Sequence, residues 1–196
     1  MLQVGFFSRR TAEQMGLENM ARNRKQDIIF AILKMEREKK IYLENPQVQP
    51  DLEGEDYIIG RLLKPEARKD IIEFFASSEI TPTSMMDVSD GLSSDLLHIC
   101  KQSNLGCRVY EEKIPISNES RQAAFKFSLD PTACALNGGE DYELLFTIKQ
   151  EDYDKLTLNE QISVIGYMTA IEEGSKLLTK GGNTFDIIAQ GWNAFG

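Results

Sequence analysis

Between Thr83 and Ser103 the spacing of apolar residues changes from that of a strand to that of a helix, and the change falls within the turn Asp87-Val88-Ser89-Asp90-Gly91-Leu92. Thr83 to Val88 reads as a strand, and Asp90 to Ser103 as a helix with Leu92, Leu96, Ile99 and Cys100 inward. A strand that stops in Asp, Ser, Asp and Gly and passes straight into a helix presents a hydroxyl, carboxylates and free N–H groups together. Those are the parts needed to hold a phosphate and its divalent cation. Further on, Asn137-Gly138-Gly139-Glu140-Asp141-Tyr142-Glu143 is a second glycine-and-carboxylate turn, running into the apolar Leu144-Leu145-Phe146-Thr147-Ile148. Each turn also has an ordinary reading. Ser or Asp ahead of a helix is an N-cap, and Gly-Gly ahead of a strand is a turn.

The rest of the chain continues the alternation. Strands are expected at Gly106–Tyr110, Glu143–Ile148 and Ile162–Met168, and helices at Asn118–Phe127, Asp130–Leu136 and Glu151–Leu156. Ser175–Thr179 reads as an edge strand, followed by the turn Gly181-Gly182-Asn183 and the run Phe185–Ile188. The fold class is therefore α/β (α+β), a layered mixed sheet with helices, because the closing hairpin is antiparallel. Upstream, residues 24–41 carry helical spacing at Ile28, Ile32 and Met35, and Asn45 to Gly54 is a connector by composition, so the chain divides near residue 60. Pro65 suits the first position of a helix with Ala67, Ile71, Phe74 and Phe75 buried and Lys64, Arg68 and Lys69 on a solvated face.

A net charge of −9 disfavours a nucleic-acid partner, whose phosphates it would repel. It does not disfavour a nucleotide, because carboxylates that recruit Mg²⁺ invert the local charge. No apolar run approaches the length of a membrane span, and no membrane partner is expected. Cys100, Cys107 and Cys134 lack paired metal-ligand spacing and read as reduced, buried small residues. Asp95, one turn into its helix, reads as an exposed carboxylate or ion-pair partner, and His98 is not expected to act as a base.

The order and spacing of Ser84-Met85-Met86-Asp87-Val88-Ser89-Asp90-Gly91-Leu92, Asp95-Leu96, Gly138-Gly139-Glu140-Asp141-Tyr142-Glu143-Leu144 and Gly191-Trp192 resemble thiamine-monophosphate kinase. That family belongs to the superfamily of aminoimidazole ribonucleotide synthetase and selenophosphate synthetase. The resemblance runs from about residue 61 to the end, weakens over residues 24–60, and is not found in residues 1–23. It implies transfer of the ATP γ-phosphate to thiamine monophosphate, giving thiamine diphosphate, with Mg²⁺ as cofactor and ATP as co-substrate, in a cytoplasmic enzyme that is a homodimer at full length.

The resemblance further implies that Asp87 and Asp90 bind metal, that Ser89 contacts ATP, and that Glu140, with Asp141 second, meets the substrate. Trp192 stacks on it in this reading, as an aromatic over a cationic thiazolium would. No residue is assigned as catalytic, since phosphoryl transfer rests mainly on positioning and metal ions. The acidic stretches of the family's amino-terminal domain do not occur in residues 1–60. The expectation is a carboxy-terminal half, with residues 1–60 a helical remnant plus linker and residues 61–196 the α/β domain, inactive alone. Two other readings stay open: another ATP-dependent enzyme of the superfamily, and a non-catalytic ligand-binding module.

Overall fold

A computed structural model describes residues 2–7 and 54–189, the first of these as backbone. The expected helix at 24–41, most of the connector and Trp192 lie outside the described residues. In chain order the elements are β1 (Leu2–Phe7), α1 (Asp56–Leu63), α2 (Lys69–Ser77), β2 (Ser84–Asp87), α3 (Leu92–Ser103) and β3 (Leu105–Tyr110). There follow α4 (Asn118–Lys126), α5 (Pro131–Asn137), β4 (Leu144–Lys149), α6 (Tyr153–Leu156), β5 (Ile162–Ala170), β6 (Ser175–Leu178) and β7 (Thr184–Asp186).

The strands form one mixed sheet in the order β2-β4-β1-β5-β3-β6-β7. β3 and β6 run parallel, and the other neighbours are antiparallel. β6 was expected at the edge; it pairs with β3 on one side and β7 on the other, and β7 takes the edge. β1, which carries no strand signal strong enough to be assigned from sequence, lies between β4 and β5.

Local chemistry accounts for several boundaries. Asp130 caps α5 by accepting from the Ala133 amide at 2.7 Å, with Pro131 in the first turn, and Ser117 caps α4 through Ser120 N at 3.0 Å. Asn104 ends α3 in the left-handed region, and β3 begins at the next residue. Pro65 does not start a helix. It follows the last turn of α1, whose continuation it blocks, and α2 begins only at Lys69.

Strand alternation splits the core across the sheet. Leu145, Cys107, Val109 and Ile165 pack with Leu92, Leu96 and Ile99 of α3, while Phe146 and Ile148 pack with Ile71 and Phe75 of α2 and Leu156 of α6. Phe75 meets Phe146 edge to face at 4.9 Å between ring centroids, and burying one such ring contributes about 2–3 kcal/mol. Helices thus cover both faces, and β2 forms one edge of the sheet. β2 is held to β4 by its ladder and by the Thr83 and Ser84 hydroxyls, each 2.7 Å from the buried Thr147 hydroxyl. Both acidic turns emerge from the same end of this strand pair.

Candidate functional site

The β2–β4 ladder does not stop at its last strand pair, Asp87 opposite Leu144. Val88 N donates to Glu143 O at 2.9 Å, Tyr142 N to Val88 O at 2.9 Å, and Glu140 N to Ser89 O at 2.8 Å. The two acidic turns are therefore one structure, laced together by backbone hydrogen bonds, with Asp141 as the residue that has no rung among these. The lacing demands unusual backbone: φ is +68° at Gly139, +61° at Glu140 and +52° at Tyr142. Glycine at 139 tolerates this; at Glu140 and Tyr142 it is strain of the kind that collects at functional sites.

Below the turns, Asp95 is almost fully buried and accepts from Ser89 N at 2.9 Å and Asp90 N at 3.1 Å. This corrects the reading of Asp95 as an exposed carboxylate: it is the internal peg around which the first turn is wound. It also corrects the expectation of free N–H groups at Ser89 and Asp90, because Asp95 occupies both. What the first turn offers a ligand is side chains, Asp87, Ser89 and Asp90. Burial, opposed by those two hydrogen bonds and aided by the charge of Asp90, holds the Asp95 carboxyl above the usual range.

In the second turn Tyr142 is exposed, and the charge of Glu140, then desolvation and the charge of Asp87, raise the pKa of its phenol. The Asp141 carboxyl is pushed up to about 7 by desolvation and then by the charge of Glu143, against the pull of Arg61.

Behind Asp141 lies an ion cluster that sequence reasoning missed. Glu143, 4% exposed, pairs with Arg61 and with Arg68 Nη1 at 2.6 Å; Arg68 also reaches Asp70 at 2.9 Å and Gln161 at 2.7 Å. Arg68 is 6% exposed, which overturns its placement on a solvated face, and Ala67, expected inside, is exposed. Burial works against the Arg68 charge, but the Asp70 and Glu143 carboxylates more than offset it. A signal was present: Arg68, Ile71 and Phe75 share one helical stripe.

His98 is exposed, Cys100 and Cys107 are buried, Cys134 is half-buried, and none of the three cysteines forms a disulfide. Among the described residues no group of three or more His, Cys, Asp and Glu is arranged to hold a metal ion, and no helix is long and apolar enough to cross a membrane. A depression of about 360 Å³ lined by Glu79, Thr81, Lys149, Glu151, Asp152 and Lys155 lies at the far end of β4 and contains none of the expected site residues.

Asp141 gives a pH prediction with a definite sign. Its carboxyl titrates at about 7 in the folded protein against an ordinary value of 3.8, so the fold favours the protonated form. Its contribution to stability is full below the unfolded value and is lost as pH rises through about 7. Asp141→Asn is expected to unfold at higher urea than the parent at pH 8, with the two converging at pH 4. A parent–variant difference that does not change with pH refutes this.

Residues 59–175 match the family model described as AIR synthase related protein, C-terminal domain, well over half of the chain. The chain belongs to this family. As a member of the AIR synthase related C-terminal family it is similar to thiamine-monophosphate kinase of Aquifex aeolicus (strain VF5), 32% identical over 150 residues, which are 74% of this chain and 45% of that protein. It is also similar to thiamine-monophosphate kinase of Escherichia coli (strain K12), 36% identical over 140 residues, 67% of this chain and 41% of that protein. Among solved structures, one described as AaThiL complexed with AMPPCP and TMP superposes with a TM-score of 0.65 at 25% identity, covering 99% of this chain and 51% of that one. The chain thus spans under half the length of these curated relatives. Outside the described residues, 9–40 match the model described as Rho termination factor, N-terminal domain.

Proposed function

We propose that this chain carries the carboxy-terminal half of a thiamine-monophosphate kinase site, in which ATP and thiamine monophosphate meet to give thiamine diphosphate. One observation carries the reading: the Asp87–Asp90 and Gly139–Tyr142 turns are laced into a single acidic edge by backbone hydrogen bonds. The relatives named above support the choice of substrate.

In this reading Asp87 and Asp90 are the residues that would hold Mg²⁺. Two carboxylates fit a cation that keeps water and phosphate oxygens in the rest of its shell. When bound, the ion neutralises charge on the phosphoryl oxygens. Ser89 donates its hydroxyl to a phosphate oxygen of ATP. Glu140 faces the positive end of the substrate, and Trp192 stacks on its ring. Asp141 is the second carboxylate of the turn for contact with the substrate. Residues 61–196 form the domain that does this, in a cytoplasmic protein without nucleic-acid or membrane partners, which at full length is a homodimer.

Titration calorimetry of the purified chain tests the reading. Thiamine monophosphate and AMPPCP are each expected to bind, AMPPCP only with Mg²⁺, and Asp87→Asn with Asp90→Asn is expected to remove the Mg²⁺ dependence. ATP-dependent formation of thiamine diphosphate is not expected from the chain alone, so its appearance contradicts the half-site. Silence toward both ligands contradicts the kinase reading itself.

A further inference from the structure

The first turn of α3 is short of acceptors. Its cap position is Gly91, at φ +109°, which brings no side chain to accept from the first amides. A larger residue is refused there, since a Cβ would stand 3.0 Å from Leu136 O. The Asp95 carboxylate is already committed to Ser89 N and Asp90 N. Among the described residues the amides of Leu92, Ser93 and Ser94 have no acceptor, whereas Asp95 N, next along, bonds Gly91 O at 3.1 Å. The Ser93 and Ser94 hydroxyls have no partner among them either, and these residues are only 4% and 7% exposed. Buried donors without acceptors are costly and rare in a native fold. Helical N–H groups and Cα–Cβ bonds both lean toward the amino-terminal end, so all of these donors are directed toward the Asp87–Asp90 turn. Packing does not account for the serines, because alanine is as small and a better helix former.

We propose that the first turn of α3 seats a phosphate group, with the Leu92, Ser93 and Ser94 amides and the Ser93 and Ser94 hydroxyls as its donors. A helix of 12 residues carries a partial positive charge at this end, and its unpaired amides suit an anion. The acidic turn beside it does not forbid this. A phosphate that arrives with a divalent cation brings the charge that carboxylates need, so the cation and the helix terminus divide the two signs between them. The seat deepens the kinase reading and rests on it for the identity of the ligand, but the donors belong to this chain alone. Nucleotide and thiamine monophosphate both carry the group, and competition separates them.

The test follows the amide resonances of the full chain by NMR, in Mg²⁺, while inorganic phosphate, AMPPCP and thiamine monophosphate are titrated separately. Inorganic phosphate is expected to move the Leu92, Ser93 and Ser94 amides. The ligand whose phosphate takes the seat is the one that moves the same amides and competes with inorganic phosphate. Ser93→Ala and Ser94→Ala are each expected to weaken phosphate binding about tenfold, the scale of one hydrogen bond to a charged group. Each variant should unfold at the parent's urea midpoint or above it, because no bond within the chain is lost. A lower midpoint means that the hydroxyls have partners inside the fold and overturns the proposal. Phosphate binding that neither substitution changes overturns it too. If AMPPCP or thiamine monophosphate binds and none of the three ligands moves these amides, the kinase reading stands and the seat falls. If inorganic phosphate moves them and neither organic ligand binds, the seat stands and the kinase reading fails. A parent chain silent to all three overturns both.

Discussion

Gly139→Ala is expected to separate the two acidic turns and to destabilise the fold by roughly 2–4 kcal/mol, combining the left-handed backbone cost with overpacking. A Cβ at this position would stand 2.6 Å from Ser89 O, 3.1 Å from Asp90 C and 3.3 Å from Gly91 N, at φ +68°. All three are backbone atoms, so no side chain can swing aside to make room. The chain must move where Glu140 N donates to Ser89 O. Gly182→Ala supplies the control. It has φ +82° with nothing within 4 Å, so it bears the backbone cost alone, about 1 kcal/mol. Urea unfolding of the two variants separates the terms. Equal losses would mean that contact between the turns contributes nothing to the fold. In calorimetry Gly139→Ala should also lose thiamine monophosphate binding while Gly182→Ala keeps it.

The elements on either side of this junction were legible in the sequence because they depend on local period. α3 falls within one or two residues of its expected bounds, with its apolar stripe inside, and β3, α4, α5, β4 and β5 are similarly placed. What the sequence concealed depends on partners far away along the chain. Arg68 is buried because Glu143 meets it, and no window that contains one contains the other. Asp95 looks like any carboxylate in a first helical turn until the preceding turn curls back to place two amides on it. Nothing local announces the positive φ at Glu140 and Tyr142, which accompanies the backbone rungs to Ser89 and Val88. β1 was missed for a related reason, since a short run becomes a strand when β4 and β5 leave a place between them. The site is thus half local and half long-range, and the carboxylates that face outward were the easier half to read.

The long-range half makes the second large prediction. Glu143→Ala is expected to destabilise the chain by about 3–5 kcal/mol, the range for removing one partner of a buried ion pair. The loss comes from the guanidinium that stays behind. The Arg68 side chain is 3% exposed, and Asp70 and Gln161 leave part of its charge uncompensated once Glu143 is gone. The Arg61 side chain, 27% exposed, can turn toward water. A double-mutant cycle should therefore find stronger coupling of Glu143 to Arg68 than to Arg61. Glu143→Met combined with Arg68→Met should recover much of the single-variant loss, because two apolar side chains need no partner. The same substitution reaches the candidate site. Glu143 is the leading charge that raises Asp141, so Glu143→Gln should lower the pH at which the Asp141 carboxyl titrates and narrow the window in which stability depends on pH. A Glu143→Ala loss below about 1 kcal/mol, the scale of a solvent-exposed pair, would show that the cluster does not anchor the acidic turn.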